Sequence, residues 1–398
     1  MTDIDELLSR GVDTIYPSRE QLKEVLRSRK IRLYQGFDPT GDKLHIGHMV
    51  GLRKLAQFQR AGHHVIFLIG TATGQAGDPS GKTTARESFL SQEVLEENAR
   101  DYVMQAKKII DFDTDNVEIR YNSEWFNKMS FSEFLTQIGH FSLQQLVERD
   151  LFQDRIGRGE SINMRAFIYP ILQAYDSVQL DVDLEIGGTD QTFNMLFGRD
   201  LVRQTRLKEK FVLTTPLLTD SQGIKIGKSE GNVIALTDAP EDLFGKVMGL
   251  SDDIIAKGLE YLTDIPIGEV RSIEKKISSG ENPMQYKKML AFEIVKQLNS
   301  EAIAQQALDI FEKGDINLPP VKQPISFISG ATVSQLITAS EVAGSITQSK
   351  ILINQGGIRL NNEVVSDPNA PAVNYVENDQ IVIQRGPRKR RVVEVTKD

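Results

Sequence analysis

Apolar residues along the first 219 positions of the chain follow two alternating spacings. Short continuous apolar runs, typical of buried strands, lie at residues 32–37, 65–71, 117–121, 181–186 and 211–218. Helical spacing separates these runs, as over residues 44–60, where apolar residues recur at Leu44, Met49, Leu52, Leu55 and Phe58. Strands that alternate with helices predict an α/β domain built on a doubly wound parallel sheet.

Two helical patterns interrupt this alternation between residues 130 and 158. Their apolar positions are Phe131, Phe134, Leu135 and Ile138, followed by Leu143, Leu146, Val147 and Leu151. We predict a helical insertion at about residues 122–160. An amphipathic helix pair can pack on its own sheet or against another molecule, and the pattern leaves both alternatives open.

The remaining sequence divides into a helical part and a smaller mixed part. Helical spacing continues from residue 240 to about residue 313, and a proline-rich stretch follows at residues 318–324. We predict a first domain at 1–230, an α-helical domain at 231–317, a linker at 318–330 and a small α+β domain at 331–398.

Composition restricts the class of protein without selecting a function. The chain has 398 residues, of which 40% are hydrophobic and 26% charged, enough to bury substantial cores. It contains no cysteine, which excludes disulfides and thiol catalysis. The acidic start and the absence of a long apolar run predict a cytoplasmic protein without a membrane segment. A net charge of −8 requires any nucleic-acid site to be a local basic patch.

A candidate phosphate site lies at the start of the predicted helix over residues 44–60. His45 and His48 are three residues apart, directly after a strand and a turn. A helix N-terminus attracts anionic oxygens because its first N–H groups are free, and imidazole donors can bind the same oxygens. Gly47, which has no side chain, leaves room for a flat base. A structural histidine pair is the alternative reading.

A second candidate lies in the glycine-rich segment 224–232, which follows an apolar strand. Lys225 and Lys228 are separated by two residues there. Two ammonium groups could neutralise the charge that builds on phosphate oxygens when a leaving group departs. A solvated basic loop is the simpler alternative.

Together the two segments resemble the paired signature of class I aminoacyl-tRNA synthetases, His45-Ile-Gly-His48 and Lys225-Ile-Gly-Lys-Ser229. Four further motifs occur in the order of the bacterial tyrosyl-tRNA synthetases: 34–40 (YQGFDPT), 77–82 (GDPSGK), 173–176 (QAYD) and 187–191 (GGTDQ). The resemblance covers almost the whole chain. It implies a Rossmann-like catalytic domain, an anticodon-contacting helical domain and a small RNA-binding domain.

This resemblance also implies roles for individual residues. Tyr169, Gln173 and Asp78 would hold the ammonium group of tyrosine, Tyr34 and Asp176 its phenol hydroxyl, and Gln191 would line the same pocket. Gly36, Asp38, Gly188 and Asp190 would contact adenosine. Catalysis would rest on Thr40, His45, His48, Lys82, Arg86, Lys225, Lys228 and Ser229.

The expected activity is the ATP-dependent attachment of L-tyrosine to tRNA(Tyr) through a tyrosyl-adenylate. We expect Mg²⁺ to arrive with ATP rather than in a protein cage, and a homodimer assembled through the insertion. RNA contacts are expected from Lys350 and from a basic cluster consisting of Arg385, Arg388, Lys389, Arg390 and Arg391. A solubilising tail is the alternative for that cluster. Rival readings of the whole chain are a tryptophanyl enzyme, a small-molecule nucleotidyltransferase and an RNA-binding protein without catalysis.

Overall fold

The computed structural model of the chain describes residues 3–78, 90–148, 150–220, 223, 225–226, 233–313, 320–386 and 389–397. Predictions for Lys82, Arg86, Lys228, Ser229 and Arg388 fall outside these residues. The chain forms two compact units, Met1–Ala239 with Lys246–Asn299, and Pro240–Gly245 with Ser300–Asp398. In the part of the chain that the structure describes, no helix combines the length and the apolar character that crossing a bilayer requires.

The first unit is built on a six-stranded sheet. Its strands are β1 Thr14–Tyr16, β2 Arg32–Phe37, β3 His64–Ile69, β4 Val117–Tyr121, β5 Leu184–Gly188 and β6 Phe211–Thr215. They are arranged in the order β1-β6-β5-β2-β3-β4. Neighbouring strands from β6 to β4 are parallel, so the predicted doubly wound sheet is confirmed.

One edge of this sheet departs from the prediction. Strand β1 is antiparallel to β6 and was missed, because three residues are too short to display a spacing pattern. Strand β5 begins later than predicted because Asp181, with a φ of 47°, ends the preceding helix in the left-handed region. Strand β6 ends at Thr215 because the next residue, Pro216, has no N–H to donate to a ladder.

Helices connect these strands and continue beyond them. They are α1 Ile4–Leu7, α2 Arg19–Ser28, α3 Ile46–Arg60, α4 Thr73–Ala76, α5 Gln92–Ala106, α6 Ser123–Phe126, α7 Phe131–Ile138, α8 Leu143–Val147, α9 Asp150–Gly157, α10 Met164–Leu180, α11 Thr192–Arg206, α12 Pro240–Met248, α13 Ile254–Leu262, α14 Ile267–Ser278, α15 Met284–Leu298 and α16 Glu301–Lys313. Helices α6 to α9 occupy the predicted insertion. Helices α12 to α16 confirm the helical pattern from residue 240 to residue 313.

The core that supports the site joins the sheet to α6 and α10. Tyr34 of β2, Ile66 and Leu68 of β3, Trp125 of α6 and Leu180 of α10 are buried in one apolar cluster. Strand β3 is buried at every residue after the first, as expected for a parallel strand covered on both faces. The sheet therefore gives the residues at its carboxyl edge a rigid support.

The second unit contains a five-stranded sheet. Its elements are β7 Val321–Pro324, α17 Ile325–Gly330, α18 Val333–Ala339, α19 Ile346–Asn354, β8 Ile358–Leu360, β9 Glu363–Val364, β10 Gln380–Arg385 and β11 Lys389–Thr396. The strand order is β7-β11-β10-β8-β9. The predicted linker at 318–330 requires correction over 321–330, since these residues form β7 and α17. Strand β7 is an edge strand that pairs only with β11, so the missing N–H of its one proline, Pro324, costs little.

Candidate active site

A cleft of about 290 Å³ lies at the carboxyl ends of β2, β5 and β6. Strand β2 lies between β5 and β3 in the sheet. The chain passes from β2 to β3 on one side, and β5 is added later on the other side, so the strand order reverses at β2. Ligands of doubly wound sheets bind at such a switch point. The cleft brings together these sequence-predicted residues: Tyr34, Gly36, Asp38, Thr40, His45, Gly47, His48, Asp78, Tyr169, Gln173, Asp176, Gly188, Asp190, Gln191 and Lys225.

The two histidines lie at the start of α3, which begins at Ile46 rather than at residue 44, so that His48 lies in the first turn and His45 just before it. His45 is the N-cap residue rather than part of the first turn, and its Nδ1 accepts the Gly47 N–H at 3.1 Å. His48 Nδ1 in turn accepts the His45 N–H at 3.2 Å, and the two ring centroids lie 3.8 Å apart. With Nδ1 accepting in both rings, the proton of each neutral imidazole lies on Nε2.

The segment around residues 218–236 approaches the same helix end. Ile226 N–H donates to Leu218 O at 2.8 Å, and Ile46 N–H donates to Ile234 O at 3.1 Å. Added to Gly47, a Cβ would lie 3.3 Å from Ile226 O and 3.0 Å from the His45 ring. Glycine therefore permits this close approach. The structure brings the second signature segment to the first, as far as it describes them.

Lys225 is paired with a carboxylate in the cleft. Its Nζ lies 2.8 Å from Asp190 Oδ2. Asp190 lies in the 3₁₀ turn Thr189–Gln191, directly after β5. The sequence placed these two residues in separate motifs and did not predict their contact.

At one end of the cleft, hydroxyl and carboxyl groups are deeply buried. Tyr34 Oη lies 2.8 Å from Ser177 Oγ. Asp176 accepts hydrogen bonds from Trp125 Nε1 at 2.9 Å and from Asn122 Nδ2 at 3.3 Å. Burial raises the pKa of Asp176 well above its ordinary value, although these two donors oppose the shift. Tyr34 and Asp176 thus lie together as predicted, with partners that sequence reasoning missed.

A second hydrogen-bonded group lies where the cleft meets α4. Tyr169 Oη donates to Asp38 Oδ2 at 2.8 Å, and Thr73 Oγ1 donates to Asp38 Oδ1 at 2.7 Å. At Gly70 an added Cβ would lie 1.9 Å from Asp38 Oδ1, so only glycine leaves space for this carboxylate. Burial and the Asp38 charge raise the pKa of Tyr169 well above its ordinary value. Tyr169 therefore remains a hydrogen-bond donor.

The remaining residues predicted to contact tyrosine lie in two amide–carboxylate pairs. Gln191 Nε2 donates to Asp78 Oδ2 at 2.7 Å. Gln173 Nε2 donates to Glu185 Oε1 at 3.0 Å, and its own Oε1 is buried with no hydrogen-bond donor among the described residues. Glu185 was missed by sequence reasoning. The available signal was a carboxylate in a parallel strand, where both faces are normally apolar.

Acidic and imidazole side chains do not converge into a metal cage here. Within residues 3–78, 90–148 and the other described ranges, no three His, Asp or Glu side chains are close enough to share an ion.

The basic cluster of the second unit is only partly available for RNA. The Arg391 side chain is 8% exposed, and its guanidinium donates to Ser340 O and pairs with Glu341. Its predicted role in binding phosphates is corrected, because a buried and paired guanidinium cannot reach them. Arg385 Nη1 donates to Val342 O at 3.1 Å.

Three other cations predicted to contact RNA remain candidates, one outside that cluster and two within it. Lys350 and Arg390 are exposed in the second unit. Lys389 is the first residue of β11, where it pairs with Arg385 of β10. These positions therefore keep their predicted role as proposals.

Comparison with known proteins gives the family. Residues 26–313 match the family described as tRNA synthetases class I (W and Y). The chain therefore belongs to the class I aminoacyl-tRNA synthetases of the tryptophan and tyrosine group. The tyrosine–tRNA ligase of Dehalococcoides mccartyi is 38% identical over 376 residues, which cover 92% of this chain and 94% of that one. The tyrosine–tRNA ligase of Aromatoleum aromaticum is 38% identical over 400 residues, which cover 98% of each.

Within that group the chain belongs to the bacterial tyrosyl-tRNA synthetases, which confirms the resemblance seen in its motifs. Solved structures agree. A C-terminally truncated mitochondrial tyrosyl-tRNA synthetase of Aspergillus nidulans has a TM-score of 0.65 at 26% identity, covering 78% of this chain and 93% of that one. A tyrosyl-tRNA synthetase of Archaeoglobus fulgidus, complexed with L-tyrosine, has a TM-score of 0.60 at 21% identity, covering 77% and 100%, and is a likeness of fold.

Proposed function

We propose that this chain attaches L-tyrosine to tRNA(Tyr) with ATP, through a tyrosyl-adenylate formed in the cleft. A single observation carries the proposal. One cleft holds both a helix N-terminus bearing two Nε2 donors and a pocket ending in Tyr34 and Asp176. The first suits the phosphates of a nucleotide, and the second suits a phenol hydroxyl.

In the first step, an oxygen of the tyrosine carboxylate attacks the α-phosphorus of ATP. A carboxylate–phosphate bond forms, the bond to the bridging oxygen breaks, and pyrophosphate leaves with that electron pair. The tyrosine carboxylate is already ionised, so no general base is needed. The rate therefore depends on positioning and on donors aimed at the developing charge.

His45 and His48 can supply such donors. Each Nε2–H is directed by the backbone hydrogen bond that its Nδ1 accepts. Thr40 and Lys225 line the same cleft. We assign Lys82, Arg86, Lys228 and Ser229 to the same task from their motifs. MgATP is the substrate form, and its phosphates carry the metal.

In the second step, a ribose hydroxyl at the 3′ end of the tRNA attacks the carbonyl carbon of the adenylate, and AMP leaves. We assign tRNA contacts to a helical domain at 231–317 and to a small domain at 331–398. Exposed Lys350 and Arg390 support the second assignment. We place the reaction in the cytoplasm, where charged tRNA is used.

We further propose a homodimer formed through the insertion. Four large apolar residues of this region are exposed, namely Phe131 at 75%, Leu135 at 51%, Leu143 at 61% and Ile156 at 50%. They lie on the consecutive helices α7, α8 and α9, and exposed apolar surface of this kind marks an interaction site. A second copy of the chain would cover these side chains.

Activity assays on a truncated protein test which part of the chain each of the two reaction steps requires. We expect the full chain to charge tRNA(Tyr) with tyrosine, and a chain ending at residue 317 to form tyrosyl-adenylate at a similar rate while charging tRNA poorly. Pyrophosphate exchange measures the first step and acid-precipitable tyrosyl-tRNA the second. Equal loss of both activities in the truncated chain would contradict the domain assignment.

A further inference from the structure

A buried ion pair lies at the wall of the cleft, beside the pocket that ends in Tyr34 and Asp176. Lys210 is 0% exposed and Glu185 2% exposed, and the Lys210 ammonium contacts Glu185 Oε2. Lys210 also donates to Met195 O at 3.2 Å. Burying two charges is unfavourable unless their remaining hydrogen bonds are satisfied. The function derived so far gives this pair no task.

Both oxygens of Glu185 reach residues of the pocket. Oε1 accepts from Gln173 Nε2 at 3.0 Å, and Oε2 accepts from Ser177 Oγ at 3.3 Å. Since a serine hydroxyl has one proton, Ser177 must then accept the proton of Tyr34, whose Oη lies 2.8 Å away. The carboxylate thus sets the direction of a hydrogen-bond chain that ends at Tyr34.

The same carboxylate fixes the amide of Gln173. With Nε2 committed to Glu185, Oε1 is the Gln173 atom left for a ligand. Among the described residues this buried oxygen has no donor. A substrate ammonium group could provide the missing hydrogen bond, whereas the reversed amide would present N–H groups to it.

A glycine of helix α11 leaves the space that the side chains of this ion pair occupy. Gly198 lies in the middle of α11, where glycine costs helix stability. An added Cβ there would lie 2.5 Å from Lys210 Nζ and 2.8 Å from Ser177 Oγ. Helix α11 therefore gives up helix propensity to leave room for the pair.

We propose that Glu185 and Lys210 are positioning residues for tyrosine: together they hold Gln173 and Tyr34 so that both present acceptor oxygens to the substrate. Lys210 neutralises Glu185 and keeps it an acceptor at both oxygens. The inference rests on the proposed function, because it requires tyrosine to be the ligand of this pocket. A wild-type protein that fails to activate tyrosine would refute the function itself, before any variant is compared.

Lys210→Met tests the proposal, since it removes the charge and keeps the length of the side chain. Without the Lys210 ammonium, the buried Glu185 carboxylate is no longer held in place as an acceptor for both Gln173 and Ser177. The ionisable groups that face Glu185 are Lys210 before β6, Tyr34 of β2 and Asp176 of α10. Lys287→Met is the matched control, because Lys287 is a buried lysine outside the cleft, held by Leu250 O.

In pyrophosphate exchange at about pH 6.5, we expect Lys210→Met to raise the KM for tyrosine at least about 10-fold and leave the KM for ATP within about 2-fold. Lys287→Met should leave both KM values near those of the wild type. A lower melting temperature with an unchanged KM for tyrosine, or equal rises in both KM values, would overturn the proposal.

The double variant Glu185→Gln with Lys210→Met covers the case in which the single variant does not fold. It has no charge at either of these two buried positions and keeps the approximate shape of both side chains. One amide acceptor can hold either Gln173 or Ser177 in the native direction, but not both. We therefore expect a KM for tyrosine raised several-fold, and a wild-type KM in this folded protein would overturn the proposal.

Discussion

The histidine pair shows how single side chains acquire a role from the backbone beside them. His45 and His48 each accept a backbone N–H through Nδ1, so the proton of each neutral ring lies on Nε2. The sequence predicted that the two rings lie together at the start of one helix, because a three-residue spacing brings both to the same turn. Their contact with phosphates stays a prediction. It could not predict the N-cap position of His45, which depends on the cap geometry.

His48→Ala should lower the rate of adenylate formation by about 10²-fold and change tyrosine affinity by less than about 2-fold, because the donor acts on charge that appears in the transition state. Rapid-quench measurement of adenylate and equilibrium binding of tyrosine separate the two quantities. An unchanged rate would remove His48 from the catalytic set.

A buried histidine outside the cleft provides the control for that variant. His63 Nδ1 accepts the Ile31 N–H at 3.3 Å, and burial lowers the pKa of His63 to about 4. His63→Ala should therefore reduce stability and leave the rate of the folded enzyme near that of the wild type.

Among the elements, helix α10 shows what local spacing in a sequence can indicate. Tyr169, Gln173 and Asp176 are four and three residues apart and line the cleft, while Ile171 and Val178 pack in the core, as expected of the two faces of one helix. Local periodicity carries this information. Contacts between distant strands and helices do not appear in it, so the pairing of a strand carboxylate with a distant lysine and the edge strand β1 could not be predicted.

The helical insertion, α6 to α9, gives a second prediction at the scale of single elements. Phe131→Glu places a charge on the most exposed large apolar residue of α7 and should dissociate the proposed homodimer. Sedimentation velocity measures the mass. Met104→Glu is the control, since Met104 of α5 is 63% exposed outside the insertion and its substitution should leave the dimer intact. A Phe131→Glu protein that sediments like the wild type would place the interface elsewhere.

At the scale of the whole molecule, the Asp183 carboxylate joins the end of helix α2 to the sheet. Asp183 accepts both guanidinium N–H groups of Arg29 at 2.9 Å and the Arg32 N–H at 3.0 Å, and lies 3.0 Å from Lys208 Nζ. Burial alone would raise the pKa of Asp183, but these donors lower it to about 2. The folded state therefore favours the ionised form, and its stabilising effect is present at neutral pH.

A lowered carboxyl pKa contributes stability above the ordinary value near 4 and loses it as pH falls toward 2. Asp183→Asn should cost about 2 kcal/mol of unfolding free energy at pH 6, and the difference from the wild type should shrink below about pH 4. Urea titrations across this range measure it. Asp181→Asn is the control, because exposed Asp181 has a left-handed φ that asparagine tolerates. A pH-independent difference for Asp183→Asn would contradict the assignment.

The proposed function requires that one cleft joins tyrosine to ATP before any tRNA is present. Amino-acid-dependent exchange of pyrophosphate into ATP, measured without tRNA for tyrosine, phenylalanine and tryptophan in parallel, tests this claim most directly. We expect exchange with tyrosine and little with the other two, since phenylalanine has no hydroxyl to form the additional hydrogen bonds with buried Tyr34 and Asp176. Exchange with tryptophan but not tyrosine, or with none of the three, would contradict the account.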